Sequence, residues 1–277
     1  RRTGYIEPTV CVRYNRNMST TMTALLYLFL LGLLSWPAVA MEKLQIAVAS
    51  NFASTMQRLI PSFEQQSGYR VTASYASSGK LFAQITHGAP FDIFLSADGE
   101  RPHRLEQLGL VVASQRFTYA TGNLVLWAAD ASSPEEALQQ LQQGRFSFLS
   151  IANPKIAPYG AAAMQVLAKL SLDQRFIKRT VRGENIAQAY QFVYSGNAQL
   201  GFVAQSQMVD AGDNVNGVVW VVPTHMHSPI EQQGVLLKRA EQNPAALAFI
   251  DYLHSDSAKQ IIAASGYGGL TQTITVE

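Results

Sequence analysis

The sequence holds 277 residues, of which 48% are hydrophobic and 14% charged, with a formal net charge of +2. A chain of this length can bury a large core, as one big domain or as two lobes, without covalent cross-links. Its one cysteine, Cys11, excludes a disulfide framework and a cysteine-based metal site.

The first element in chain order reads as an export signal. Met18 and Met22 are the candidate starts, so residues 1–17 are expected to be upstream sequence. After Arg13 and Arg16 comes an apolar run over residues 24–34, then Pro37 and the small-residue pattern Ala38-Val39-Ala40. A basic start, a short apolar core and an A-x-A site make a cleavable secretory signal, cut near Ala40. The run falls short of the roughly 18 apolar residues that a membrane anchor needs. Without residues 1–40, 237 residues remain, with 17 basic and 18 acidic side chains. That near-neutral balance offers no case for a nucleic-acid partner. Cys11 leaves with the signal, and no cysteine follows it as a lipid anchor would require. The expectation is a soluble periplasmic protein.

Beyond the signal, strands and helices alternate. Residues 44–49 read as a strand. Met56, Leu59, Ile60 and Phe63 recur at i, i+3, i+4 and i+7 on one helical face. Pro61 should kink or split that helix, and Gly68 suits its end. Residues 71–75 read as a strand, Leu81, Phe82 and Ile85 as one face of a short helix, and residues 91–95 as a buried strand. A strand at 124–128 precedes Ser133-Pro134-Glu135-Glu136, a capping box that opens a helix to about residue 143. Then come a strand at 148–152, helices at 161–170 and 186–194, and strands at 200–203 and 218–222. Asn243-Pro244 caps a last long helix whose inner face includes Leu247, Ile250 and Leu253. Such alternation argues for an α/β architecture with largely parallel sheets. Turn-rich residues 120–123 and 223–229 are candidate crossings between two lobes. The expected division is residues 1–40 for the upstream extension and signal, 41–121 for the first part of lobe 1, 122–223 for lobe 2, and 224–277 for a return to lobe 1.

In open α/β sheets ligands bind beyond the carboxyl ends of strands, near helix N-termini. Four such junctions stand out: Ala49-Ser50-Asn51-Phe52, Ala76-Ser77-Ser78-Gly79-Lys80, Asn153-Pro154-Lys155-Ile156-Ala157-Pro158-Tyr159-Gly160, and Arg182-Gly183-Glu184-Asn185. Each offers hydroxyls, amides or small residues, and each opens a helix whose first turn leaves backbone N–H groups free. Singly these are ordinary N-caps. Together they suit a fully deprotonated tetrahedral oxyanion, which only accepts hydrogen bonds. A phosphate that keeps a proton would also want an acceptor, and only Glu184 supplies a carboxylate.

Along nearly its whole length the chain resembles the molybdate-binding proteins of ABC transporters, in the type II periplasmic binding protein family. The stretches that carry the resemblance are Ile46-Ala-Val-Ala-Ser-Asn-Phe52, Ala76-Ser-Ser-Gly-Lys-Leu81, Gly88-Ala-Pro-Phe-Asp-Ile-Phe-Leu-Ser-Ala-Asp98, Ala152-Asn-Pro-Lys-Ile-Ala-Pro-Tyr-Gly160, Gly183-Glu-Asn-Ile186 and Leu200-Gly-Phe-Val203. The resemblance implies two α/β lobes, each a mostly parallel sheet flanked by helices, with the ligand in the cleft between them. It implies capture of molybdate, and of tungstate as a near-equivalent, without a cation or cofactor, by a monomer that serves a membrane permease. Carried over residue by residue, Ser50 and Asn51 match the first anion-binding loop, Ser78 the second, Tyr159 a hydroxyl donor in the third, and Ile186 a backbone N–H donor. Ala204 departs from the pattern, since many relatives have a tyrosine there; Tyr159 is expected to replace that donor.

Other readings fit less well. Ser77-Ser78-Gly79-Lys80 lacks the first glycine and the final hydroxyl of a P-loop, and no G-x-S-x-G elbow occurs, so no catalysis is expected. His225-Met226-His227 has two imidazoles but no third ligand nearby, which suits hinge or surface histidines better than a metal site. Trp127 and Trp220 fall in strands and read as core rather than as sugar platforms. An amino-acid site would need an Arg–Asp pair such as Arg182 with Asp98. Asp92 and Asp98 would repel a dianion and read as loop braces, and Lys80 as a solvated side chain. The remaining alternatives are a different tetrahedral oxyanion, such as sulfate, and a metal-binding relative of the same fold.

Overall fold

The computed structural model describes residues 43–268. The expected signal and its cleavage point near Ala40 lie outside the described residues, as do residues 269–277 of the expected return segment. Among the described residues no helix is long and apolar enough to cross a membrane.

The first sheet begins with β1 (Lys43–Ala49), whose apolar run reflects burial on both faces. Leu44, Ile46 and Val48 pack into one cluster with Phe52 and Met56, while Ala47 joins a second with Leu81 and Phe94. A single 3-10 turn, Ser50–Phe52, leads into α1 (Ala53–Ser67). Pro61 sits inside α1 without splitting it, so the expected split does not occur. It lies on the exposed face, where water serves the carbonyl that a proline leaves unbonded. Gly68 closes the helix in the left-handed region, φ 76°. β2 (Arg70–Ala76), α2 (Ser78–Thr86), β3 (Ile93–Leu95) and α3 (Glu100–Gln107) follow, then the long β4 (Val111–Gly122).

The chain then enters a second sheet through β5 (Leu124–Ala128), α4 (Pro134–Gln143), β6 (Leu149–Ala152), α5 (Pro158–Lys169), β7 (Thr180–Gly183), α6 (Ile186–Tyr194), β8 (Leu200–Ala204), α7 (Gln205–Ala211) and β9 (Val218–Val221). Ser133 caps α4 through the Glu136 N–H, but the Glu136 carboxylate takes the Ser132 N–H, one residue earlier than a capping box requires. The chain returns to the first sheet through β10 (Ile230–Leu237) and ends in α8 (Pro244–Leu253) and α9 (Asp256–Ala264). The expected last long helix is thus two, because Ser255 caps a new start through the Ala258 N–H. Leu247, expected on the inner face, is 40% exposed; Ala246, Phe249, Ile250 and Leu253 form that face.

The strand orders are β2-β1-β3-β10-β4 and β7-β6-β8-β5-β9. The sheets are mixed rather than largely parallel. β1 pairs in parallel with β2 and β3, and β6 with β7 and β8, as strand–helix–strand units do. β10 and β5 pair antiparallel with both neighbours, because the strand by which the chain enters each sheet from the other runs against the rest.

Candidate functional site

The parallel strands β1, β2 and β6 end on a common cleft, and the helices after them start there. A small, nearly closed cavity lies at this point. Ser50, Asn51, Ser78, Tyr159 and Ile186 all line it, and the rest of the lining is alanine, proline and Ser77. No lysine, arginine, aspartate or glutamate is among the lining residues. An occupant would therefore meet neutral dipoles only.

Local structure leaves several donors free. Ser77 caps α2 by accepting the Lys80 N–H. Ser78, next in line, accepts the Ala97 N–H at 3.0 Å through its hydroxyl oxygen, which leaves its own proton for the cavity. Ile186 is the first residue of α6, and the Asn185 cap takes the Gln188 N–H, so the Ile186 N–H has no intrahelical partner. Pro158 and Tyr159 open α5, so that helix also points its positive end at the cleft. The Tyr159 hydroxyl accepts from Gln232 Nε2 at 3.1 Å and keeps its proton to give. Asn51 lines the cavity, but both of its amide protons are held within the protein, by Gln232 Oε1 at 2.9 Å and by the Tyr267 hydroxyl at 3.0 Å. Ala204 is fully buried and gives its N–H to Gln207.

Residues missed by the sequence reading support these donors. Tyr119, Gln232, Tyr267 and Ser206 form a buried polar cluster behind Asn51 and Tyr159. Gly122, at the crossing from β4 to β5, makes room for it: a Cβ there would overlap the Tyr159 hydroxyl. The Gln232-Gln233 pair inside an apolar strand was the one signal for this cluster, since buried amides need partners.

The other residues weighed from sequence lie elsewhere. Asp92 receives Arg239 and the Gln45 N–H, and Asp98 receives Arg101 side chain and backbone, so both brace loops. Lys80 pairs with Glu184 across the cleft mouth at 2.7 Å, both about half exposed. Trp127 is buried and stacked on Tyr190. His227 bonds the Ser228 carbonyl. Among the described residues no three His, Cys, Asp or Glu side chains gather in a metal-binding group.

Burial raises the Tyr159 and Tyr119 hydroxyls well above the ordinary tyrosine value, and pushes Tyr267 up to about 12. An unfolded tyrosine loses its proton at about pH 10. Above that pH the unfolded chain binds fewer protons than the folded one. The stabilisation is therefore complete below about pH 10 and lost as pH rises through the folded values. Urea unfolding should show stability falling above about pH 10, by about 1.4 kcal/mol per pH unit for each tyrosine held protonated. Tyr267→Phe should make that fall shallower; an unchanged slope would contradict the assignment.

Two mixed α/β lobes around a small, uncharged, donor-lined cleft define a binding protein for a compact polar solute. The chain belongs to the family of bacterial extracellular solute-binding proteins, whose model matches residues 44–268. It is similar to the molybdate-binding protein ModA of Azotobacter vinelandii, 46% identical over 251 residues that cover 91% of this chain and 99% of that one. Its similarity to the molybdate-binding protein ModA of Rhodobacter capsulatus is 41% identity, covering 84% of this chain and 91% of the relative. Among solved structures it resembles the Azotobacter vinelandii periplasmic molybdate-binding protein, with a TM-score of 0.78, 37% identity, and coverage of 81% of this chain and 98% of that one.

Proposed function

We propose that this protein captures molybdate in the periplasm and delivers it to the permease of an ABC transporter. The observation that carries the reading is the convergence of free hydroxyl and helix N-terminal donors on a cavity with no charged lining. A tetrahedral dianion only accepts hydrogen bonds, so such a lining satisfies all its oxygens and opposes none. The names of the two relatives, both molybdate-binding proteins at above 40% identity, support the same ligand. Tungstate, of like charge and nearly equal size, is bound as well. Ser50, Ser78 and Tyr159 serve the anion through hydroxyls, Ile186 through its backbone N–H, and Asn51, whose amide protons are held by Gln232 and Tyr267, through its backbone N–H. The protein acts as a monomer, without cofactor or catalysis, after removal of a signal near Ala40. Lobe 1 comprises residues 41–121 and 224–277, and lobe 2 residues 122–223.

Titration calorimetry with molybdate, tungstate, sulfate and phosphate tests the reading. Tight binding of the first two and weak binding of the others is expected. No heat with molybdate, or equal affinity for sulfate, would refute it. Within the site, Ser78→Ala and Tyr159→Phe should each weaken molybdate binding by about 1.5–3 kcal/mol, the worth of a hydrogen bond to a charged group. Wild-type affinity in either variant would remove that residue from the site.

A further inference from the structure

Gln232 is fully buried at the junction of the two lobes, on a strand whose later residues Val235, Leu236 and Leu237 pack into apolar core. The pairing of β4 and β10 shifts register there. Gln232 opposes Ala120 and Gln233 opposes Thr118, so Tyr119 is the extra residue of a bulge. Bulges re-aim side chains, and this one sets the Tyr119 hydroxyl 3.0 Å from Gln232 Oε1. The same oxygen receives Asn51 Nδ2, and the amide nitrogen donates to the Tyr159 hydroxyl.

The direction of the bonds that link Tyr267, Asn51, Gln232 and Tyr159 follows from one carbonyl, whereas the Tyr119 hydroxyl has the Ser96 carbonyl as well as Gln232 Oε1 within 3.0 Å. The Tyr267 hydroxyl lies 2.7 Å from the backbone oxygen of Asn51. A carbonyl only accepts, and at 2.7 Å it lies nearer than the Ser206 hydroxyl at 3.1 Å, so the Tyr267 proton goes there. The Tyr267 oxygen then accepts from Asn51 Nδ2 at 3.0 Å, which fixes the Asn51 amide with its nitrogen toward Tyr267 and Gln232. Gln232 must meet that nitrogen with its oxygen and so turns its own nitrogen to Tyr159. Turning Gln232 alone would set two amide nitrogens against each other. Turning both amides would set the Asn51 oxygen against a phenol whose proton is already committed. Tyr159 is thereby an acceptor toward the protein, and its proton is left for the cavity.

We propose that Gln232 is a positioning residue that sets specificity by holding Tyr159 as an obligate donor. Resting on the oxyanion reading above, this means that the cleft takes a fully deprotonated tetrahedral dianion and penalises one that carries a proton. A proton on the ligand needs an acceptor, and Tyr159, held as a donor, supplies none; among the described residues its hydroxyl has no protein acceptor for its own proton.

Gln232→Glu and Gln232→Met separate this role from a structural one. A carboxylate at 232 satisfies Asn51, Tyr119 and Tyr159 as donors, so the cluster stays fully bonded, but the Tyr159 proton now turns away from the cavity. The added charge opposes molybdate and hydrogen phosphate alike at pH 8, so the ratio of their affinities isolates the polarity. Calorimetry on the purified protein should show that ratio falling tenfold or more in Gln232→Glu. Gln232→Met should weaken molybdate at least tenfold, yet by less than threefold in a Tyr159→Phe background, because its effect runs through the phenol. An unchanged ratio in Gln232→Glu, or additive losses in the double variant, would overturn the proposal while leaving the oxyanion reading intact. Absence of molybdate binding in the wild type would overturn both. If Gln232→Met unfolds, the Gln232→Glu ratio decides alone.

Discussion

Gly79→Val is expected to weaken capture of molybdate, the proposed ligand, by about 10- to 1,000-fold with little change in the stability of the unliganded protein. Gly79 sits in the first turn of α2, and its N–H donates across the cleft to the Ile156 carbonyl at 2.8 Å. A Cβ on Gly79 would stand 2.8 Å from the Ile156 Cβ and 2.9 Å from its Cα. The two lobes therefore meet here only because position 79 has no side chain. Overpacking costs about 1–3 kcal/mol and the lost hydrogen bond about 0.5–1.5 kcal/mol, and tenfold in affinity is about 1.4 kcal/mol. We propose that the lobes part without ligand, so that these costs fall on the arrangement in which they meet. The backbone at 79 is not left-handed, and valine is a better helix former than glycine. Calorimetry gives the affinity, and small-angle scattering with ligand should show a larger radius of gyration than the wild type. Wild-type affinity would mean that closure does not need this contact. The Lys80–Glu184 pair beside it is a poor substitute for that test. Both partners are about half exposed, and such pairs are worth about 0–1 kcal/mol.

Much of this molecule is legible in the sequence where the signal is local. The strand at Leu124–Ala128 and the helix at Ile186–Tyr194 fall where periodicity puts them, because each buries a continuous run or a single stripe. β4 and β10 escape that reading. Their polar residues, among them Glu231, Gln232 and Gln233, break the apolar pattern, and Gln232 is there for partners far off in sequence. Pro61 misleads for the opposite reason: the proline rule is local, but exposure decides whether it costs anything. The lining residues Ser50, Ser78, Tyr159 and Ile186 follow strand ends, which topology brings together. Tyr267 and Tyr119 act through contacts 216 and 113 residues away in the chain. No spacing rule joins them, and only the fold brings them behind Asn51.

Gly160→Val should damage both fold and site, and by the largest margin in stability. Gly160 follows Tyr159 in the first turn of α5, which lies against the end of β6. A Cβ there would overlap the Ala152 carbonyl oxygen and come within 2.7 Å of its carbon. Those are backbone atoms of a fully buried strand, and neither can swing aside as a flexible side chain would. The start of α5 must instead lift away from β6, which strips Ala162, Ala163 and Val166 of core contact and moves Tyr159 off Gln232. Overpacking at about 1–3 kcal/mol with partial loss of that burial gives a destabilisation of roughly 3–5 kcal/mol. For a domain of this size, that lowers the melting temperature by roughly 6–20 °C. Gly160→Ala should fall by nearly as much, because the first carbon makes the clash, whereas at Gly79 the larger side chain matters more. Calorimetric melting of both variants distinguishes the two sites. A Gly160→Ala melting temperature within a degree of wild type would mean that α5 rides on β6 with slack, and the position of Tyr159 would then rest on Gln232 alone.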